Sequence, residues 1–121
     1  MEKDNILHTK SYKFAIRIVK LSQFLMYEKK EYILSKQVLR SGTSVGALVS
    51  ESKFAQSTAD FINKLMVSLK EANETQYWIN LLHDTNYITT QMHKSLYSDI
   101  EELISLLVSI TKTLKNKGVT K

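Results

Sequence analysis

Apolar residues recur along this chain at steps of three and four, the spacing that lines one face of an α-helix. The clearest run is Leu96, Ile100, Leu103, Leu107, Ile110 and Leu114, a heptad seam suited to left-handed bundle packing. Phe14, Ile18, Leu21 and Leu25 form a stripe on an earlier helix, and Tyr12, Ile16, Val19 and Met26 form a second on the same helix. A third helix runs through Phe61, Ile62, Leu65, Leu69, Ala72 and Ile79, introduced by Ser57 as N-cap with Asp60 in the first turn. Between these lie the charged connection Glu28–Glu31 and the turn Asp84–Thr85–Asn86; Thr89 or Thr90 caps the last helix, and Gly118 reads as its terminal breaker. The pattern predicts one domain over residues 1–121, an all-α, antiparallel up-and-down four-helix bundle with helices at about 11–27, 33–52, 57–83 and 91–116.

The second of these helices is unusual. Gln37–Ser52 reads QVLRSGTSVGALVSES, with Ser41, Gly42, Thr43, Ser44, Gly46, Ala47 and Ser50 giving almost no side-chain bulk. A glycine inside a helix costs about 1 kcal/mol relative to alanine. Two of them, Gly42 and Gly46 one turn apart, make sense where another backbone comes close. Arg40 stands among these small residues and Glu51 lies eleven positions on, on nearly the same face; both are assigned to a subunit contact. The surplus of apolar surface points the same way. Ile16 and Val19 on the second stripe, with Tyr77 and Trp78 in the apolar run QYWINLL, exceed what one bundle core can cover. Large exposed apolar patches on monomers are rare and mark interfaces. The expectation is a cyclic homo-oligomer whose interface includes Ile16, Val19, Arg40, Gly42, Gly46, Glu51, Tyr77 and Trp78.

Composition sharpens the picture. Proline is absent and glycine occurs only three times, which argues against a turn-rich β fold. Without cysteine there is no disulfide framework and no thiolate metal site. The opening MEKDNILHTK lacks the apolar core of a signal peptide, and no run approaches the ~18 apolar residues of a membrane span. A soluble cytoplasmic protein is expected. The formal charge of +5 belongs to the front of the chain: residues 1–40 hold nine Lys and Arg against four Asp and Glu, whereas the rest balance. Lys10, Lys13, Arg17 and Lys20 fall on one face of the first helix and form a candidate site for tracking phosphates of RNA or DNA. A solvated outer face explains the same four charges equally well.

Catalytic chemistry finds little support. Gly42–Thr43–Ser44–Val45–Gly46 matches the G-x-S-x-G nucleophile elbow, but that motif needs a strand before it and here sits in a helical run. A di-metal carboxylate site needs Glu-x-x-His on two helices. Three residues before His8, His83 and His93 stand Asn5, Asn80 and Thr90, none acidic. Glu71 and Glu74 have no histidine nearby in sequence. No enzyme, metal or cofactor is expected.

Three segments carry a resemblance: KSYKFAIRIVKL at Lys10–Leu21, LSKQVLRSGTSVGALVSES at Leu34–Ser52, and the pattern SxxDFxxKLxxSLKEAxE from Ser57 to Glu74. Together they resemble the four-helix-bundle proteins of the 23S rRNA intervening-sequence family, a group that includes the accessory protein of diversity-generating retroelements. The resemblance implies an up-and-down bundle assembled into a homopentameric ring. In the retroelement branch it implies a basic surface that engages a reverse transcriptase and nucleic acid. One departure stands out: many members read S-I-x-A-N-I-A-E-G at the end of the second helix, where this chain has Leu48 for the asparagine and Ser52 for the glycine. The expected function is a non-enzymatic oligomeric bundle that binds nucleic acid or a nucleic-acid enzyme. The alternative is a structural scaffold or protein-interaction ring.

Overall fold

The computed structural model describes residues 2–119 and contains four helices, with no strand among the described residues. They are α1 (Glu2–Tyr27), α2 (Leu34–Ser52), α3 (Thr58–Asp84) and α4 (Thr90–Val119). Each pair of helices that touches runs antiparallel. Gly42 of α2 meets Ile18 and Gly46 meets Ser11 on α1; Ser68 and Thr75 of α3 bond Val45 and Ser41 of α2. On α4, Ser109, Glu102 and Asp99 meet Lys3, Lys10 and Arg17 in turn. The four helices thus close an up-and-down ring around one apolar cluster.

That cluster is built from the expected stripes. Phe14, Ile18, Leu21 and Leu25 are buried, as are Leu96, Ile100, Leu103, Leu107 and Ile110, with Leu114 half-buried at the end of the seam. Two helix bounds differ from expectation. α1 begins nine residues earlier than Ser11, because Leu7 extends its core stripe by two turns and Glu2 and Asp4 sit favourably at its positive end. α4 continues through Gly118, so that residue is no breaker. The caps of α3 and α4 do match. Ser57 Oγ accepts from Asp60 N at 3.0 Å while Asp60 Oδ2 accepts from Gln56 N at 3.2 Å, and Thr89 Oγ1 accepts from Met92 N at 3.1 Å.

Gly42 and Gly46 are helix-contact residues, but the helix they meet is α1 of the same chain. A Cβ on Gly42 would stand 2.8 Å from Ile18 Cγ1 and 2.9 Å from Cγ2; one on Gly46 would stand 3.1 Å from the Ser11 carbonyl oxygen. The close approach therefore belongs inside the bundle, and the placement of Gly42 in a subunit contact is corrected. Gly42 is buried under Ile18, while Gly46 keeps some surface. Gly42→Ala should lower stability by about 1–2 kcal/mol through overpacking against a stiff branched side chain. At an exposed helix position the same change gains about 1 kcal/mol, so a urea midpoint that rises for Gly42→Ala would contradict the close contact.

Candidate functional site

The four basic residues of the α1 stripe do line up as expected, but they divide into two kinds. Lys10 Nζ lies 3.1 Å from Glu102 Oε2. Arg17 Nη1 donates to Asp99 Oδ2 at 2.6 Å and to the Ser95 carbonyl at 3.3 Å, and Nη2 donates to Ser95 Oγ at 2.9 Å. Both cations are tied to α4 across the α1–α4 seam, the pair of helices that touches least. Lys13 and Lys20 are exposed and have no acidic partner among the described residues. Below Arg17 a groove of 350 Å³ runs between the two helices, with Lys20 on its rim and Leu21, Phe24, Met92 and Leu96 as apolar lining. The stripe is thus part staple and part free charge. The distinction depends on acids some eighty residues away in the chain.

The expected interface residues fall in several places. Ile16 and Val19 are exposed, at 43% and 40%, on the outer face of α1 with Tyr12. Beside them a 480 Å³ groove between α1 and α2 is lined by His8, Tyr12, Ala15, Thr43, Gly46, Ala47 and Ser50. His8 Nδ1, on its edge, is buried without a hydrogen-bond partner. Arg40 is engaged within its own chain. It reaches across to α3, 3.0 Å from Glu71 Oε1 and paired also with Glu74, whose carboxylate accepts from Trp78 Nε1 at 3.0 Å. The cluster shows why Glu71 and Glu74 share a face: one guanidinium answers both. Trp78 is half-buried against the core, and Tyr77 stays exposed with its ring edge-on to Trp78 at 5.0 Å. Glu51 is exposed near the end of α2.

The hydrolase reading ends at Ser44, whose hydroxyl donates to the Arg40 carbonyl at 2.6 Å within an unbroken helix. Among the described residues no three of His, Asp and Glu stand together as a metal site, and no helix is long and apolar enough to cross a membrane. Two features escaped the periodicity. One is the α1–α2 turn, where Tyr27, Tyr32 and Ile33 all face outward; the tyrosines flanking Glu28–Glu31 were its only trace. The other is a column of rings at the α3–α4 hairpin. His83 and His93 stack at 4.5 Å, and Tyr97 stacks on His93 at 5.4 Å, one turn along α4. His93 Nε2 lies 2.8 Å from Asn80 Oδ1, and His83 Nε2 lies 3.1 Å from Thr90 Oγ1.

With this geometry in place, comparison with known proteins decides the family. The model of the 23S rRNA-intervening sequence protein family matches residues 3–109. The chain belongs to that family. A crystal structure of a protein with unknown function from the S23 ribosomal protein family, from Bacteroides thetaiotaomicron VPI-5482, is 55% identical, with a TM-score of 0.90. The match covers 91% of this chain and 98% of that one. No curated protein matches. Shared membership accounts for the bundle.

The ring column carries a pH dependence of known sign. Burial first, and the neighbouring His83 second, lower the pKa of His93, with Asp84 opposing. A histidine titrating lower in the fold than in the unfolded chain adds stability that is complete above the unfolded value, near 6.5, and lost as pH falls through the folded one. The thermal midpoint should therefore fall between pH 7 and 5, and His93→Gln should flatten that decline. An equally steep decline in the variant would assign the loss to other groups.

Proposed function

We propose that the chain is a non-enzymatic bundle that associates with copies of itself and presents a basic surface to nucleic acid, or to an enzyme that works on it. One observation carries the reading: on α1, the exposed Tyr12, Ile16 and Val19 stand beside Lys13 and Lys20, whose charges no acid among the described residues answers. Apolar area of this kind is stabilised by a second chain, and the adjoining groove with Ala15, Gly46 and Ala47 offers a smooth bed for one. Repetition of α1 around an assembly multiplies two lysines into a multivalent basic surface, and contacts to phosphates bind without regard to base sequence. Family resemblance supports a cyclic pentamer, a cytoplasmic setting, and RNA, DNA or a reverse transcriptase as partner. The ion pairs of Lys10 and Arg17 favour a second reading, a scaffold ring without nucleic acid, because they remove half of the basic stripe from play.

Sedimentation velocity at micromolar concentration should show a particle of several chains, and Ile16→Asp should shift it to monomers with helicity intact. Lys13→Glu with Lys20→Glu should keep the assembly and weaken RNA binding, lowering the salt slope by about one for each phosphate that is no longer neutralised. A monomeric wild-type particle would overturn the self-association. An assembled protein that ignores RNA at low salt would select the scaffold.

A further inference from the structure

The α1–α2 turn has a surface that the packing of the bundle does not explain. Tyr27, Tyr32 and Ile33 are 68%, 53% and 74% exposed, three large side chains within seven residues. The turn beneath them is firmly built. Glu28 N donates to the Phe24 carbonyl and Glu31 N to that of Leu25, both at 2.9 Å, and Lys30 takes a left-handed conformation at φ 54° that reverses the chain. Glu31 is buried, and its carboxylate caps α2 from inside: Oε1 accepts from Ser35 N at 2.8 Å and Oε2 from Ile33 N at 3.2 Å. This cap fixes the backbone on either side of Tyr32.

It also sets the charge of the tip. The segment EKKE is neutral in sequence, but one of its two acids faces inward and is held by helix N–H groups. The outer surface is left with Lys29, Lys30 and Lys36 against Glu28 alone, all four exposed. Lys29 Nζ lies 5.8 Å from the centre of the Phe24 ring, a cation over an aromatic face. Exposed flat rings set among lysines on a rigid base suit one ligand chemistry in particular: unpaired bases, which stack on phenol rings irrespective of sequence while the lysines meet their phosphates. A duplex hides its base faces and offers the tip only charge. Lysine is depleted at the centre of protein interfaces, so three lysines around two tyrosines favour a polyanion over a protein partner.

We propose that the turn Tyr27–Ile33 is a stacking platform for a single-stranded nucleic acid, with Tyr27 and Tyr32 receiving bases and Lys29, Lys30 and Lys36 receiving phosphates. The proposal rests on the nucleic-acid reading above and locates the strand away from the α1 stripe.

The test is fluorescence anisotropy of the full chain with a labelled oligouridine of about 12 nucleotides, beside an RNA duplex of the same length. Tyr27→Ala with Tyr32→Ala should weaken single-strand binding about tenfold or more for each stack removed, and should leave duplex binding near the wild-type value. Phenylalanine at both positions should restore it, since the ring and not the hydroxyl makes the contact. Circular dichroism and sedimentation of the variants should match wild type. Unchanged oligouridine binding in the alanine variant, with weakened binding in Lys13→Glu/Lys20→Glu, overturns the platform and leaves the earlier reading standing. A wild-type chain that binds neither RNA overturns both. Dissociation of the assembly by the alanine pair assigns the tip to a contact between copies, and wild-type binding to anionic phosphatidylserine vesicles without RNA binding assigns it to a lipid surface; either overturns the proposal.

Discussion

The structure depends on how closely α1 and α2 can approach. Ile18 and the Ser11 carbonyl occupy the space where side chains at 42 and 46 would be, so the contact exists only because those positions are glycine. Once α1 and α2 are fixed at that distance, α3 follows through Ser41–Thr75 and Val45–Ser68 bonds on the adjacent face of the same helix. Small residues make the closest approaches on both faces of α2, beside the buried Val38, Val45 and Val49. α4 is added differently, with a leucine and isoleucine seam toward the core and a row of ion pairs and hydroxyl bonds to α1 at the rim.

That division explains the mixed character of α1. Its inner stripe serves the core, its flank toward α4 carries Lys10 and Arg17 as ties, and the remaining surface holds Tyr12, Ile16, Val19, Lys13 and Lys20 without intrachain duties. Exposed ion pairs of this kind are worth little individually, about 0–1 kcal/mol. Their contribution is to register, since Lys3, Lys10 and Arg17 meet Ser109, Glu102 and Asp99 in strict reverse order.

Much of this was legible from spacing, because burial on a helix leaves a 3.6-residue trace. The stripe Phe14–Leu25 and the seam from Leu96 followed from that trace alone. The start of α1 did not: between Glu2 and Lys10 the core stripe shows only Leu7 among polar residues, and the acids of the first turn were the remaining signal. Gly42 and Gly46 revealed that something must come close, but a missing side chain carries no information about what fills the gap. The charge of Lys10 and Arg17 was visible, while its neutralisation required the antiparallel register of α4. In the turn, sequence counts Glu31 as a surface acid; only the direction of its side chain shows that its charge is withdrawn from the surface.

The hydroxyls of the helices have a consequence of their own. Thr43, Ser44, Ser52 and Thr111 each donate to a carbonyl three or four residues back in their own helix. These side chains are therefore polar in formula but self-contained, and need no water between helices. With Gly42 and Gly46 four apart, the α1–α2 contact follows the rule of helix pairs in lipid, where small residues and van der Waals fit replace the expulsion of water. Apolar burial is still part of it, since Ile18 covers Gly42 and Val38, Val45 and Val49 of α2 are buried in the same core as the α1 stripe. Cooling, which weakens hydrophobic association, therefore leaves the close backbone fit at Gly42 and Gly46 in place while it loosens the apolar core that all four helices share.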